Sequence, residues 1–391
     1  MEIRMSAPDL TEAELAAVLK VLGTPFLSMG PQIKRFEERF ASRIGRRYAA
    51  AVSSGTAGLR LCVIAAGIGE GDLVIAAPFS FVASGNCALY ERGVPVFVDA
   101  DEQTGNIDPA LVAQAAADLV NGGAAARRWL PPSLRDGRQG WRLKAILPVH
   151  VFGQPADMDP LLEVAHTYEL YVIEDACEAV GAGYKGRNVG TVGDAAVFAF
   201  YPNKQMTTGE GGIIVTDHDD WDVLFRSLRN QGRDPRDGWL THARLGYNYR
   251  MNEMSAALGL AQLERLDQLL AKRAQVAQWY TERLAEIEGV EPLPIAPWTT
   301  RMSWFAYVVR IKHPFERDEV MRQLEKRCIP SRPYFRPIHL QPFYRERFGY
   351  RGGEFPVAET LSSVSLALPF SSVMEEREVQ RVCEALKEIL R

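Results

Sequence analysis

Apolar positions along the chain follow two rhythms. Near the start, Thr11 and Glu14 form a capping-box pattern. Leu15, Val18, Leu19 and Leu22 follow at helical spacing, and Gly23 closes that helix. Ile33, Phe36, Phe40 and Ile44 mark a second helix, closed by Gly45. Between them "TPFLSMGP" (24–31) predicts an exposed loop that carries apolar side chains. From Tyr48 the rhythm changes to short runs: "YAAAV" (48–52), "LVIAA" (73–77), "VPVFVD" (94–99), "KAILPV" (144–149), "LYVIED" (170–175), "AAVFAFY" (195–201) and "GIIVT" (212–216). Several are continuously apolar, as strands buried on both faces are. Helical patterns lie between many of them, so the sequence predicts an α/β fold with a mostly parallel sheet covered by helices.

Residues 252–288 carry a long helical pattern that reads as a bridge between domains. A strand (305–311), a helix (316–327), a strand (364–369) and a helix (374–390) follow, a small α/β C-terminal domain. The expected division is 1–251 for the large domain and 252–391 for the bridging helix and small domain. Residues 121–142, "NGGAAARRWLPPSLRDGRQGWR", break the alternation and read as a surface insertion without an assigned function. Neither an internal repeat nor a low-complexity tract is visible.

Composition narrows the class. The 391 residues are 47% hydrophobic and 24% charged, as in ordinary globular proteins. A net charge of −4 gives no reason to expect nucleic acid. Locally, Arg226, Arg229, Arg233 and Arg236 crowd together, tempered by Asp234 and Asp237. They form either a solvated face or a contact for a phosphorylated ligand. The five cysteines are odd in number and lack CxxC spacing, which predicts free thiols in a reducing compartment. "MEIRMSAPDL" lacks the apolar core of a secretory signal, and no apolar run nears the roughly 20 residues that span a bilayer. A soluble, cytoplasmic protein without a metal site is expected.

Three motifs carry candidate chemistry. "SSGTAG" (53–58) follows a strand and opens a helix. It is either a capped turn or a phosphate cup, with Ser54, Gly55, Thr56 and the amide of Ala57 around the anion. "IEDACEAVGAGYKG" (173–186) brings Glu174 and Asp175 to the carboxyl end of a strand, as a helix cap or as the partner of a cofactor's ring nitrogen. In "AFYPNKQMTTGEGG" (199–212), Lys204 stands at the mouth of a buried strand, where ligands of α/β proteins bind. A free lysine titrates near pH 10.4 (about that in model peptides) and becomes a nucleophile only in a special setting. Cup, acid and lysine, in that order, are what pyridoxal phosphate (PLP) requires. Phe81, in "PFSFVASGN", is a core residue or a ring that stacks on the cofactor.

The chain resembles the DegT/DnrJ/EryC1/StrS family of PLP-dependent nucleotide-sugar aminotransferases, which have the type I, aspartate-aminotransferase-like fold. The likeness starts near residue 8 and runs through "MGPQIKRFEERFA", "SSGTAGL", "PVFVDAD", "PVHVFGQPADMD", "IEDACEAVGAGYKGRNVGTVGD", "FYPNKQMTTGEGG", "LGYNYRMNEMSAALG" and "PYFRPIHLQPFY". It implies that Lys204 holds the cofactor covalently and then shuttles a proton. Asp175 pairs with the pyridine nitrogen, Phe81 stacks on the ring, and Thr56 and Ala57 hold the phosphate. Asn248 reaches the phosphate in the other subunit, so a homodimer with shared active sites is implied. Met29 and Gly30 of the "SMGP" loop, Tyr334 and His339 line the sugar-nucleotide pocket, and Arg229 is placed with them.

Three departures stand out. Ala199 occupies the position of a frequent phosphate-binding serine, a contact Ser54 could replace. Glu178 stands where many members carry Gln or His near the cofactor's phenolic oxygen. The 121–142 insertion is long. The branch that dehydrates sugars has histidine in place of Lys204 and is disfavoured. The implied reaction takes the amino group of L-glutamate to a nucleotide-linked keto sugar, most simply a 4-keto-6-deoxy sugar, for polysaccharide, lipopolysaccharide or antibiotic sugars. A 3-keto sugar, a cyclitol, or a PLP-binding regulator without turnover are the alternatives.

Overall fold

The continuous apolar runs become the strands of a central sheet in a computed structural model that describes residues 3–137, 140–234 and 241–391. Arg236 and Asp237 of the arginine-rich stretch lie outside the described residues. In chain order the strands are β1 (Tyr48–Val52), β2 (Asp72–Ala76), β3 (Val94–Phe97), β4 (Arg142–Leu147), β5 (Tyr171–Asp175), the short pair β6 (Gly183–Tyr184) and β7 (Arg187–Asn188), β8 (Ala195–Ala199) and β9 (Gly212–Thr216). Seven of them form one sheet, ordered β1-β9-β8-β5-β4-β2-β3. All neighbours are parallel except β9, which runs antiparallel to β1 and β8.

Alternation distributes each strand between two layers. Ala50 and Val52 of β1 join a core with Leu59, Val197 and Ile214. Their neighbours Ala49 and Ala51 join Phe36, Phe40 and Phe198 on the opposite face. The helix Gly55–Ala65 covers the first face and Pro31–Ile44 the second. With both faces covered, polar alternation is lost, which is why the runs read as continuous.

Three further strands, β10 (Val290–Pro292), β12 (Tyr307–Ile311) and β13 (Ser365–Leu368), form an antiparallel sheet, while β11 (Thr299–Arg301) pairs with β6. Helices Leu266–Leu284, Arg317–Lys326 and Glu376–Ile389 close its core around Tyr280, Leu324, Val379 and Leu386.

Two expectations change here. The pattern at 252–288 is not one helix but two, Glu253–Glu264 and Leu266–Leu284, parted at Arg265. The Arg265 guanidinium is drawn to Asp9 (2.8 Å) and Glu14 (2.7 Å), and the first of the two helices packs on Glu12–Leu22 beside the large sheet. Helix Glu12–Leu22 has its capping box, yet its leucines face outward: Leu15, Leu19 and Leu22 are exposed while Glu14 is buried. Glu14 accepts from Thr11, Gln262 and Arg265, so a polar cluster fixes that helix instead of an apolar stripe.

The insertion also does more than cover surface. Its Trp129 indole donates to Asp118 at 2.7 Å, and Leu130 is buried with Tyr344, Phe348 and Tyr350. The Ser133 hydroxyl donates to the carbonyl of Arg347 at 3.3 Å. The segment thus braces the helix Pro342–Phe348, whose first residues help to wall the cavity described next.

Candidate active site

Strand β5 presents two acids to opposite faces. Glu174 is fully buried and accepts the N–H groups of Gly190, Val192 and Gly193 (2.8, 2.9 and 2.7 Å), with His150 Nε2 at 3.0 Å. The Ala156 N–H donates to His150 Nδ1 at 3.0 Å, so the ring's proton sits on Nε2 and points at Glu174. Burial alone would raise the Glu174 carboxyl; His150 and the amides outweigh it and hold it low. Glu174 is therefore committed to the fold. Asp175 is the acid that lines a cavity of about 910 Å³, its Oδ1 accepting the Cys177 N–H at 3.2 Å.

The loop after β1 supplies the anion cup. Ser54 caps the helix Gly55–Ala65 by accepting the Ala57 N–H at 3.1 Å. Ala57, expected to donate to a phosphate, is buried off the cavity wall, and its amide is engaged by that cap. Ser54, Gly55 and Thr56 do line the cavity. The amides of Gly55 and Thr56 sit in the first helical turn, where no intrahelical carbonyl reaches them. Only glycine fits the floor: a Cβ on Gly212 would stand 2.7 Å from the Gly55 nitrogen, and one on Gly55 would meet Cys177 Sγ at 2.7 Å and Ala199 Cβ at 2.9 Å. Ala199 brings no hydroxyl, but the Ser54 hydroxyl, an acceptor in its cap, keeps a proton to donate.

The connection from β8 to β9 carries Lys204. A turn closed by its own N–H on the Tyr201 carbonyl (2.9 Å) precedes it. Its Nζ lies 3.8 Å from the centre of the Phe305 ring and 3.7 Å from Glu178 Oε1, with 13% of the side chain exposed. The other Glu178 oxygen accepts the Phe152 N–H at 2.9 Å. Burial raises the Glu178 carboxyl more than Lys204 lowers it, so this group keeps its proton further into the pH scale than an ordinary glutamate.

Phe81 and Tyr334 also line the cavity. Arg229 does not: it is 4% exposed, and its guanidinium is held by Glu37 and by the Ala51 carbonyl. Glu37 also takes Arg226 at 2.7 Å, so these two arginines serve a buried ion pair and not a phosphate. His339 is likewise off the wall; it has no exposed surface and meets Glu359 at 3.0 Å through Nε2. Met29 and Asn248 are exposed away from this chain's own cavity, and the Gly30 N–H is taken by Glu253 at 2.9 Å. Sequence reasoning missed Phe305, Asn203, Arg336 and Tyr344 on the wall. Phe305 reads only as the start of a strand; Arg336, one residue from Phe335 in "PYFRPIH", was the one legible signal.

Residues 8–387 match the family described as DegT/DnrJ/EryC1/StrS aminotransferase. The chain belongs to this family. It is 39% identical to a GDP-perosamine synthase of Caulobacter vibrioides over 392 aligned positions, covering 99% of this chain and 98% of that protein. A GDP-perosamine synthase of Escherichia coli O157:H7 is 34% identical, covering 97% and 96%. Among solved structures, DesV of S. venezuelae superposes with a TM-score of 0.87 at 32% identity, covering 100% of this chain and 99% of that one. DegT-family aminotransferases use PLP, and the residues here suit it: a glycine-floored cup of free amides, a carboxylate, and an amine at one cavity. The DegT-family chain is thus a PLP-dependent sugar aminotransferase. Among the described residues no helix is long and apolar enough to cross a membrane.

Proposed function

We propose that the chain moves the amino group of L-glutamate to a nucleotide-linked keto sugar, a 4-keto-6-deoxy sugar before a 3-keto sugar, with GDP as the carrier. The observation that carries this reading is the meeting of Lys204, Asp175 and the Ser54–Thr56 cup at one cavity. The names of the two GDP-perosamine synthases support the carrier.

Bound PLP supplies an electron sink, so that a substrate carbon bearing nitrogen can lose and regain a proton. The Asp175 carboxylate would hold the protonated pyridine nitrogen. Lys204 Nζ takes the proton from the substrate carbon and hands it on, as a positioned general base. The Gly55 and Thr56 N–H groups, with the Ser54 hydroxyl, would hold the phosphate. Phe81, on the cavity wall, would cover one ring face. Glu178, its carboxyl raised by burial, would face the phenolic oxygen. Tyr334 borders the sugar. Met29, Gly30 and Asn248 serve the cavity of a second copy, so the working unit is a homodimer with shared sites. The five free cysteines support a reducing, cytoplasmic setting.

The test is incubation of purified protein with glutamate and a panel of GDP-, UDP- and dTDP-linked keto sugars, followed by NMR of the product. Formation of 2-oxoglutarate with an amine at C4 of the GDP-linked sugar is expected. Amination of free cyclitol ketones alone would replace this reading.

A further inference from the structure

Arg273 lies in the middle of the helix Leu266–Leu284 and is 1% exposed. A guanidinium so deeply buried is ordinarily paired with an acid. Among the described residues no carboxylate pairs with this one, and burial pulls it down to about 10. Its partners are four backbone carbonyls. One terminal nitrogen donates to Trp304 (3.0 Å) and Phe305 (3.2 Å), the other to Asn203 (3.2 Å) and Lys204 (2.7 Å). The planar fork therefore joins two segments that are far apart in sequence: the loop that carries Lys204 and the segment that carries Phe305.

We propose that Arg273 is a positioning residue that fixes the Lys204 amine over the Phe305 ring by clamping the main chains of both residues in one frame. The proposal rests on the functional reading above, in which Lys204 Nζ is the reacting atom.

Two observations strengthen it. Two of the four bonded carbonyls belong to Lys204 and Phe305, the residues whose side chains meet, with Nζ 3.8 Å from the ring centre, and the other two to the residues just before them. The next residue, Gln205, repeats the stitch: its amide donates to the Glu178 carbonyl at 2.5 Å and to Ser303 Oγ at 2.9 Å. Ser303 and Phe305 in turn donate their N–H groups to Gly153 (3.1 Å) and Phe152 (3.0 Å). A lysine would be a poor substitute, because a point charge cannot address four carbonyls in a plane.

The experiment compares the parent with Arg273→Met and Arg273→Lys as full chains. Three readouts are taken: the melting temperature, the rate at which added PLP forms a borohydride-reducible link to Lys204 (peptide mass spectrometry), and kcat and KM for the glutamate half-reaction. With the lysine misplaced by a fraction of an ångström to an ångström, link formation and kcat should fall about 10- to 100-fold. KM for glutamate should change far less, and Arg273→Lys should recover part of the loss. Parental linking and kcat in a folded Arg273→Met protein overturn the clamp. If Arg273→Met fails to fold, Arg273→Lys carries the test: slower linking at an unaltered melting temperature supports the clamp, and parental rates overturn it. A parent with no reducible link at Lys204 would overturn the functional reading and the clamp with it, whereas a normally linked parent beside unchanged variants overturns the clamp alone.

Discussion

Glu178 shows how one buried carboxyl can be tested without the reaction. Its folded value is raised, chiefly by burial. The folded state then binds the proton more tightly than the unfolded chain, so its contribution to stability is complete below the ordinary value of 4.5 and fades as pH rises through the raised one. Denaturation midpoints of the cofactor-free parent should therefore decline relative to Glu178→Gln as pH is raised from about 4.5 toward neutrality. Parallel curves for the two proteins would count against a raised carboxyl. At the reacting atoms, Lys204→Ala should abolish turnover, and Asp175→Asn should keep the melting temperature while kcat drops about 10²–10⁴-fold. Wild-type kinetics in either variant would remove that residue from the mechanism. That Lys204, Asp175 and the Ser54–Thr56 loop would gather at one cavity was legible because glycines and apolar strands frame them in the sequence. Arg229 and His339 were not, since a basic residue looks the same whether its partner is a ligand or a carboxylate distant in the chain. Glu37 is 192 positions from Arg229, and nothing local marks the pair.

Among the elements, legibility follows burial. The large-sheet strands were readable to within a few residues because both faces are covered, and Val94–Phe97 or Gly212–Thr216 have no polar side to mislead. The break at Arg265 was hidden, because arginine is a good helix former and its reason for ending the helix lies on Asp9 and Glu14. Glu14 gives that junction a pH signature. Burial would raise it, but Thr11, Gln262 and Arg265 bring it down to about 2. Its stabilisation is present above the ordinary 4.5 and lost as pH falls toward 2, so Glu14→Gln should flatten acid unfolding in that window, as followed by circular dichroism. The insertion makes a packing prediction. Leu130→Ala should cost about 2–4 kcal/mol in chemical denaturation, as buried leucines do, and raise KM for the sugar nucleotide as the wall at Pro342–Phe348 loosens. An unchanged KM would leave the insertion with structural duty alone.

For the whole molecule, the proposed shared sites predict complementation. On that proposal, Lys204→Ala would spoil the cavity of its own chain, and a disabling substitution of Asn248 would spoil the cavity of its neighbour. Mixed and refolded together, the two dead proteins should regain activity, because one site of each hybrid dimer is intact. No recovery on mixing would confine each site to one chain. A last consequence concerns where the amine rests. Cup, carboxylate and lysine all grow from the large sheet, but the aromatic cushion beneath the amine, Phe305, comes from beyond the second long helix. A fragment severed after β9 would keep cup, carboxylate and amine and still be an inert vessel, its lysine wet on the side where that cushion now keeps it dry.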